Sequence, residues 1–132
     1  MTDTLPVLVV EDEELLLAFL RTALERGGVR SVGATSGGAA LQLLERTEVA
    51  GIVSDLKMPG EIGGEEIFQW VSQHRSELAT RFLFITGNVN DPYAREVRER
   101  TGALFIEKPF RIALLIELIR KMTAPSEQLH AG

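Results

Sequence analysis

Residues with the potential for phosphate or metal chemistry stand directly after short apolar runs of this sequence. Glu11 and Asp12 follow one such run, and Asp55 ends another. Thr86 ends a third run and Lys108 comes soon after a fourth. Three carboxylates brought together would repel one another, so a cation would be needed to neutralise them. Oxygen ligands without His or Cys select a hard cation, which predicts Mg²⁺, with Mn²⁺ as the alternative.

A divalent cation, a lysine and a hydroxyl group around one carboxylate meet the needs of phosphoryl transfer, which are charge neutralisation and positioning. Asp55 would be the nucleophile that forms an acyl phosphate. Each residue alone has a simpler interpretation. Glu11 and Asp12 could cap a helix, Thr86 could be an ordinary strand-end residue, and Lys108 could be a solvated loop residue. The joint arrangement favours a functional site.

The composition is that of an ordinary globular domain, and it argues against several functional classes. The chain has 132 residues, of which 45% are hydrophobic and 25% are charged. Its net charge of −5 argues against direct nucleic-acid binding. Without cysteine there is no disulfide, thiolate metal site or cysteine nucleophile. The sequence lacks a long apolar span and a basic N-terminal signal, so we expect no membrane association and a cytoplasmic location.

Apolar runs and helix signals alternate along the whole chain. Five runs are predicted to be strands, at 7–10, 29–34, 52–55, 82–85 and 103–106. A helix is predicted after each strand. This alternation predicts an α/β fold with a parallel sheet and five helices on both faces, because parallel strands need crossover connections. Sites in such sheets form outside the carboxyl ends of the strands, where the polar residues described above would meet.

The chain resembles the receiver domain of two-component response regulators from about residue 5 to residue 122. The matching segments are Val-Val-Glu11-Asp12, Ser-Asp55-Leu-Lys-Met58-Pro59-Gly60, Ile-Thr86-Gly and Lys108-Pro109-Phe110. The resemblance implies a chemotaxis-regulator-like fold with flavodoxin-like strand order 2-1-3-4-5. It implies a receiver domain over residues 1–122, and we expect a flexible C-terminal tail over 123–132. The sequence around Thr86 and Lys108 also resembles that of receivers attached to hybrid histidine kinases.

The resemblance also implies roles for individual residues. Asp55 would accept a phosphoryl group from the phosphohistidine of a histidine kinase or phosphotransfer protein. Thr86 and Lys108 would contact that group, and Phe105 would be the aromatic residue of the switch. The domain would be a signalling domain that assists its own phosphorylation and dephosphorylation, and not an enzyme. The Mg²⁺ ligands would be Glu11, Asp12, Asp55 and the backbone carbonyl of Lys57.

Some positions depart from the commonest pattern of that family. The loop 60–64 is one residue longer than usual, and Gly87 replaces the commoner alanine. Lys57 and Asn88 stand two residues beyond Asp55 and Thr86, at variable positions that would tune the lifetime of the phosphoryl group.

Three other functions compete with this interpretation. A flavodoxin-like cofactor binder would offer hydroxyl and glycine N–H groups to a phosphate, whereas the loop 11–14 is entirely acidic. An aspartyl-phosphate hydrolase would carry a second acid two residues after its nucleophile, where Lys57 stands. The third alternative is a receiver-like docking module that acts without phosphorylation. The full acidic set and Lys108 argue against it.

The last predicted helix, 111–122, has a wider apolar surface than one sheet needs. Leu114 and Leu118 lie beside its main stripe and are one turn apart, so we expect at least one of them to be exposed. The hypothesis is a homodimer or kinase-docking contact through these leucines, on the face that this helix forms with the fifth strand and the helix starting at Pro92. The alternative is that the tail 123–129 folds back over them.

Overall fold

A sheet of five parallel strands forms the centre of the molecule, in the order β2-β1-β3-β4-β5. The computed structural model describes residues 4–124. The α/β fold and the strand order expected from the sequence are both confirmed. The strands are β1 Val7–Val10, β2 Ser31–Ala34, β3 Gly51–Asp55, β4 Phe82–Thr86 and β5 Leu104–Glu107.

Helices cover both faces of this sheet. Those nearest the chain ends, α1 and α6, pack on one face, and the others pack on the opposite face. Successive residues of β1 alternate between the two cores: Leu8 and Val10 enter one, while Val7 and Val9 enter the other. The unalternating apolar run therefore reflects burial on both sides. The helices are α1 Glu14–Arg26, α2 Gly37–Arg46, α3 Gly64–His74, α4 Ser76–Ala79, α5 Pro92–Thr101 and α6 Ile112–Met122.

The sixth helix corrects the expectation of five. The sequence predicted a single helix between the third and fourth strands, but the chain leaves the helical conformation at Arg75 and resumes it in α4. Burial of Leu78 and a 2.8 Å hydrogen bond from the Arg75 guanidinium to the carbonyl of Leu44 hold this extra turn in place. Along residues 4–124, no helix is long and apolar enough to cross a membrane.

Helix α5 begins and ends at residues that fix its position next to the site. The Asp91 carboxylate accepts a hydrogen bond from the Ala94 N–H at 3.2 Å, and Pro92 occupies the first helical position. Gly102 ends the helix in the left-handed conformation, with φ of 67°. Asp91 and Pro92 therefore fix the start of α5 a few residues after the end of β4.

The two leucines singled out in α6 have different environments. Leu114 is exposed, at 44%, which confirms that at least one of them faces solvent. Leu118 is half-buried and packs against the core beneath α6, so it does not form an exposed row with Leu114. Residues 125–132, which include most of the predicted tail, lie outside the described part of the chain, and the domain boundary at residue 122 stays a prediction.

Candidate functional site

The register of the sheet brings the ends of β1 and β3 side by side. Val10 is paired with Ser54, so Glu11 and Asp55, each one residue further on, are neighbours across the same edge. The backbone of Glu11 continues the ladder by donating to the Ala34 carbonyl at 3.1 Å. Parallel strands therefore deliver two carboxylates to one place through main-chain bonds that any residue could make.

The acidic residues predicted from the sequence form one cluster. Glu11, Asp12 and Asp55 each offer a carboxylate oxygen, and these oxygens all lie within 4.8 Å of one another. They line a cavity of about 430 Å³ at the carboxyl edge of the sheet. The other predicted site residues, Lys57, Thr86 and Lys108, line the same cavity. All six residues are thus brought together.

Two carboxylate oxygens of this cluster are buried and have no hydrogen-bond partner among residues 4–124. They are Oε1 of Glu11 and Oδ1 of Asp55, while Oε2 of Glu11 accepts from the Glu13 N–H at 3.0 Å. A buried oxygen left unpaired is costly, and a bound cation would relieve that cost. A cluster built only of oxygen donors, two of them unpaired, fits a hard divalent ion such as Mg²⁺.

The electrostatics of Asp55 agree with this interpretation. The pKa of Asp55 is raised to about 8, chiefly by burial and then by the adjacent Glu11 carboxyl. The charge of Asp12 acts in the same direction, whereas the Lys108 ammonium lowers the pKa. Without a cation, the cluster therefore favours a protonated Asp55 in the neutral pH range.

Lys108 and Thr86 both line the cavity that contains the Asp55 carboxylate. The Lys108 ammonium is 3.7 Å from Asp55 Oδ1, and its backbone N–H donates to the Thr86 carbonyl at 2.9 Å. The Thr86 side chain is buried, and its hydroxyl faces the backbone of Asn88 at 3.3–3.4 Å. Of these two side chains, Lys108 is the one that contacts the Asp55 carboxylate.

Gly64 explains how the longer loop after Asp55 is accommodated. A Cβ at Gly64 would collide with the backbone carbonyl of Asp55, so the start of α3 passes directly against the site strand. Gly60 has φ of 94°, a conformation that favours glycine. Lys57, in the same loop, points its ammonium at Asp91 Oδ2, 3.6 Å away, and not toward Asp55.

A second buried carboxylate, which no sequence motif singled out, belongs to Glu65 at the start of α3 and faces α5. Glu65 accepts a hydrogen bond from the Tyr93 hydroxyl at 2.8 Å and from the Arg100 guanidinium through both Nε and Nη2. Burial would raise the pKa of Glu65, but these two partners outweigh it and the pKa is lowered. The adjacent Glu66 has the same carboxyl side chain. Packing alone therefore decides which of the two acids is buried.

The predicted switch residue Phe105 is half-buried in β5. Its ring centroid is 5.1 Å from that of Phe84 on the neighbouring strand, and the Arg98 guanidinium lies 5.9 Å from its centroid. Phe105 therefore packs on the core with one side and meets a charged helix with the other.

Comparisons with known proteins identify the family of this chain. The profile of the response regulator receiver domain family matches residues 7–120. The chain belongs to this family. The receiver is 32% identical over 120 residues to the transcriptional regulatory protein FixJ of Azorhizobium caulinodans, covering 91% of this chain and 56% of that protein. It is 30% identical over 118 residues to the sensor kinase CckA of Brucella abortus, covering 88% of this chain and 12% of that protein.

Solved structures give the same fold. A CheY-like response regulator receiver domain protein from Methanospirillum hungatei superposes with a TM-score of 0.83 at 23% identity, covering 98% of this chain and all of that one. Receiver domains are signalling modules of two-component systems that interact with histidine kinases or phosphotransfer proteins. This receiver spans little more than half of the regulator, and a small part of the kinase, that it matches.

Proposed function

We propose that this receiver accepts a phosphoryl group on Asp55 in a reaction that depends on Mg²⁺. A carboxylate oxygen of Asp55 attacks the phosphorus, and the bond from phosphorus to the donor nitrogen breaks. The electron pair stays on the imidazole of the donor histidine, which takes up a proton from solvent. The product is an acyl phosphate on Asp55.

The observation that carries this proposal is the pair of unpaired, buried oxygens on Glu11 and Asp55, with the Lys108 ammonium 3.7 Å from one of them. Glu11, Asp12 and Asp55, together with the backbone carbonyl of Lys57, would hold Mg²⁺. When bound, the ion supplies charge neutralisation for the transferring group. Lys108 adds a positive charge beside Asp55. A docking module that acts without phosphorylation would not need these unpaired carboxylates.

Incubation with Mg²⁺ and acetyl phosphate, followed by intact-mass measurement, tests this chemistry. We expect the mass of one phosphoryl group on the wild-type chain, and none on Asp55→Asn or in the presence of EDTA. Glu65→Gln is the matched control, because it also neutralises one buried acid but should still be phosphorylated. Phosphorylation of Asp55→Asn at the wild-type level would contradict the proposal.

Thr86 and Phe105 would report phosphorylation to the surface. The Thr86 hydroxyl now faces the backbone of Asn88 and would turn toward the new phosphoryl oxygens. That rotation would leave space for the half-buried Phe105 ring to move inward. Structures with and without a phosphate mimic test this step. If neither side chain moved, Phe105 would be a fixed core aromatic.

The donor protein would dock beside the site, on α1. Leu15 and Phe19 are exposed, at 88% and 58%. Phe19 also borders an apolar cavity of about 310 Å³ whose walls include Glu11 and Lys108. Because this cavity shares two residues with the acidic site, a partner seated there would bring its phosphohistidine to Asp55. A cytoplasmic location follows from this proposal, since the donor is a kinase that uses ATP.

The homodimer hypothesis through α6 stays a prediction, with Leu114 as its exposed member and Leu118 as half-buried support. Sedimentation of wild type and Leu114→Glu tests it, and equal monomers would contradict it. The net charge of −5 supports the absence of direct nucleic-acid binding.

A further inference from the structure

Lys57 has a partner outside the acidic cluster. Its side chain is 66% exposed, and its ammonium lies 3.6 Å from Asp91 Oδ2 and 5.7 Å from the centre of the Tyr93 ring. Exposed ion pairs of this kind are weak, because water and salt screen them and the lysine stem is flexible. The Lys57 ammonium is therefore a cation that a stronger anion nearby could attract.

The groups that receive Lys57 are fixed more firmly than Lys57 itself. Asp91 is held as the N-cap of α5 by the Ala94 N–H, where the positive end of the helix also stabilises its charge. Tyr93 is held by its 2.8 Å bond to the buried Glu65. If a stronger anion enters the site, the Lys57 side chain is therefore the one of these three that moves.

Lys57 and Asp91 both line the cavity that contains Asp55. An acyl phosphate on Asp55 would carry about two negative charges in place of the single charge of the free carboxylate. It would then compete with the single charge of Asp91 for the same ammonium group. Resting on the proposed phosphorylation of Asp55, we propose that Lys57 exchanges partners, from Asp91 in the unphosphorylated receiver to the phosphoryl group in the phosphorylated one.

The exchange has a consequence at the start of α5. Asp91 loses its counter-ion and the Tyr93 ring loses its cation, although neither backbone needs to shift. The charge at the surface of the first turn of α5 therefore changes when the site is occupied. Asp91 acts here as a positioning residue that holds Lys57 back until phosphorylation.

A double-mutant cycle with beryllium trifluoride, a stable mimic of the phosphoryl group, tests the exchange at saturating Mg²⁺. Asp91→Asn removes the competing charge and keeps a good N-cap. It should lower the dissociation constant of the mimic by about two- to fivefold, the range expected for an exposed ion pair. Lys57→Gln should raise the constant, and Asp91→Asn should have no further effect in that background. An equal gain in both backgrounds would overturn the exchange, since it would be a general charge effect.

Tyr93 supplies a second readout, because it is the only tyrosine of the chain. With ring-labelled ¹³C-tyrosine, the single ring signal should shift when the mimic binds, as the ammonium leaves. Lys57→Gln lacks the ammonium, so its ring signal should lie near the shifted position before the mimic is added. The signal should not move when the mimic binds. A full shift in Lys57→Gln would also overturn the proposal. Failure of wild type to gain mass from acetyl phosphate would instead contradict the proposed function itself, so the two failures are distinguishable.

Discussion

Two buried carboxylates, Asp55 and Glu65, behave in opposite ways in this receiver. They are 5% and 7% exposed, and each sits close to other charged groups. Glu65 is satisfied by Tyr93 and Arg100, and its pKa is lowered. Asp55 has an unpaired oxygen and two acidic neighbours, and its pKa is raised to about 8.

The difference teaches that burial alone does not mark a functional acid. Glu65 has the partners it needs within the protein, so it joins α3 to α5 and has no reason to bind a ligand. Asp55 has the Lys108 ammonium 3.7 Å away, but its Oδ1 has no hydrogen-bond donor among residues 4–124, and its pKa is raised. The missing partner is the useful signal, because a cation or a phosphoryl group can supply the interactions that the fold does not.

The largest difference expected between the two acidic sites is in Mg²⁺ affinity. Asp12→Asn removes one acidic ligand and should weaken Mg²⁺ affinity by about a hundredfold, measured by calorimetry at pH 8. Glu65→Gln should bind Mg²⁺ like wild type, because its carboxylate already has partners. An unchanged affinity in Asp12→Asn would remove that residue from the site.

A smaller effect, with opposite signs at the two positions, is expected on stability without metal. Asp55→Asn should raise the free energy of unfolding at pH 8 by about 2 kcal/mol, because it removes a buried charge that the Lys108 ammonium offsets only in part. Glu65→Gln should lower it by about 1–2 kcal/mol, a value reduced because Arg100 is half-exposed. Urea denaturation in EDTA measures both. If both substitutions changed the free energy of unfolding in the same direction, the proposed difference between the two acids would be wrong.

The pH dependence of metal-free stability should show the same contrast between the two acids. The folded pKa of Asp55 lies above its usual value of 3.8, so the folded state binds the proton more tightly. Metal-free stability should therefore fall as pH rises from about 4 to about 8. Asp55→Asn should reduce this decline. Glu65, with a lowered pKa, contributes stability that is lost as pH falls below 4.5, and Glu65→Gln should reduce that loss. Melts in EDTA across this range measure both slopes.

The sheet and its acidic edge were predictable because they depend on local patterns. Short apolar runs such as Val7–Val10 specify strands buried on both faces, and their alternation with helices specifies parallel order. Once the strands are parallel, the residues that follow them must meet at one edge. That is why Glu11 and Asp55 could be placed together without any knowledge of the register.

The features that escaped prediction depend on contacts between distant segments. Glu65 and Glu66 are chemically equal in the sequence, and only the approach of Tyr93 and Arg100 from α5 distinguishes them. The pairing of Lys57 with Asp91 likewise joins two loops. Leu118 was grouped with Leu114 by helical spacing, but the core beneath α6 extends far enough to bury part of it.

The main-chain hydrogen bonds at the edge of the sheet also bear on how such a domain can evolve. Glu11 N–H donates to the Ala34 carbonyl, Leu56 N–H to Ile85, and Lys108 N–H to Thr86. These bonds hold the site backbone in place whatever side chains it carries. Substitutions at Glu11, Asp55 or Lys108 can therefore abolish chemistry while the architecture survives. A lineage could lose phosphorylation and keep an intact docking fold, so thermal stability in such descendants would be no guide to retained signalling.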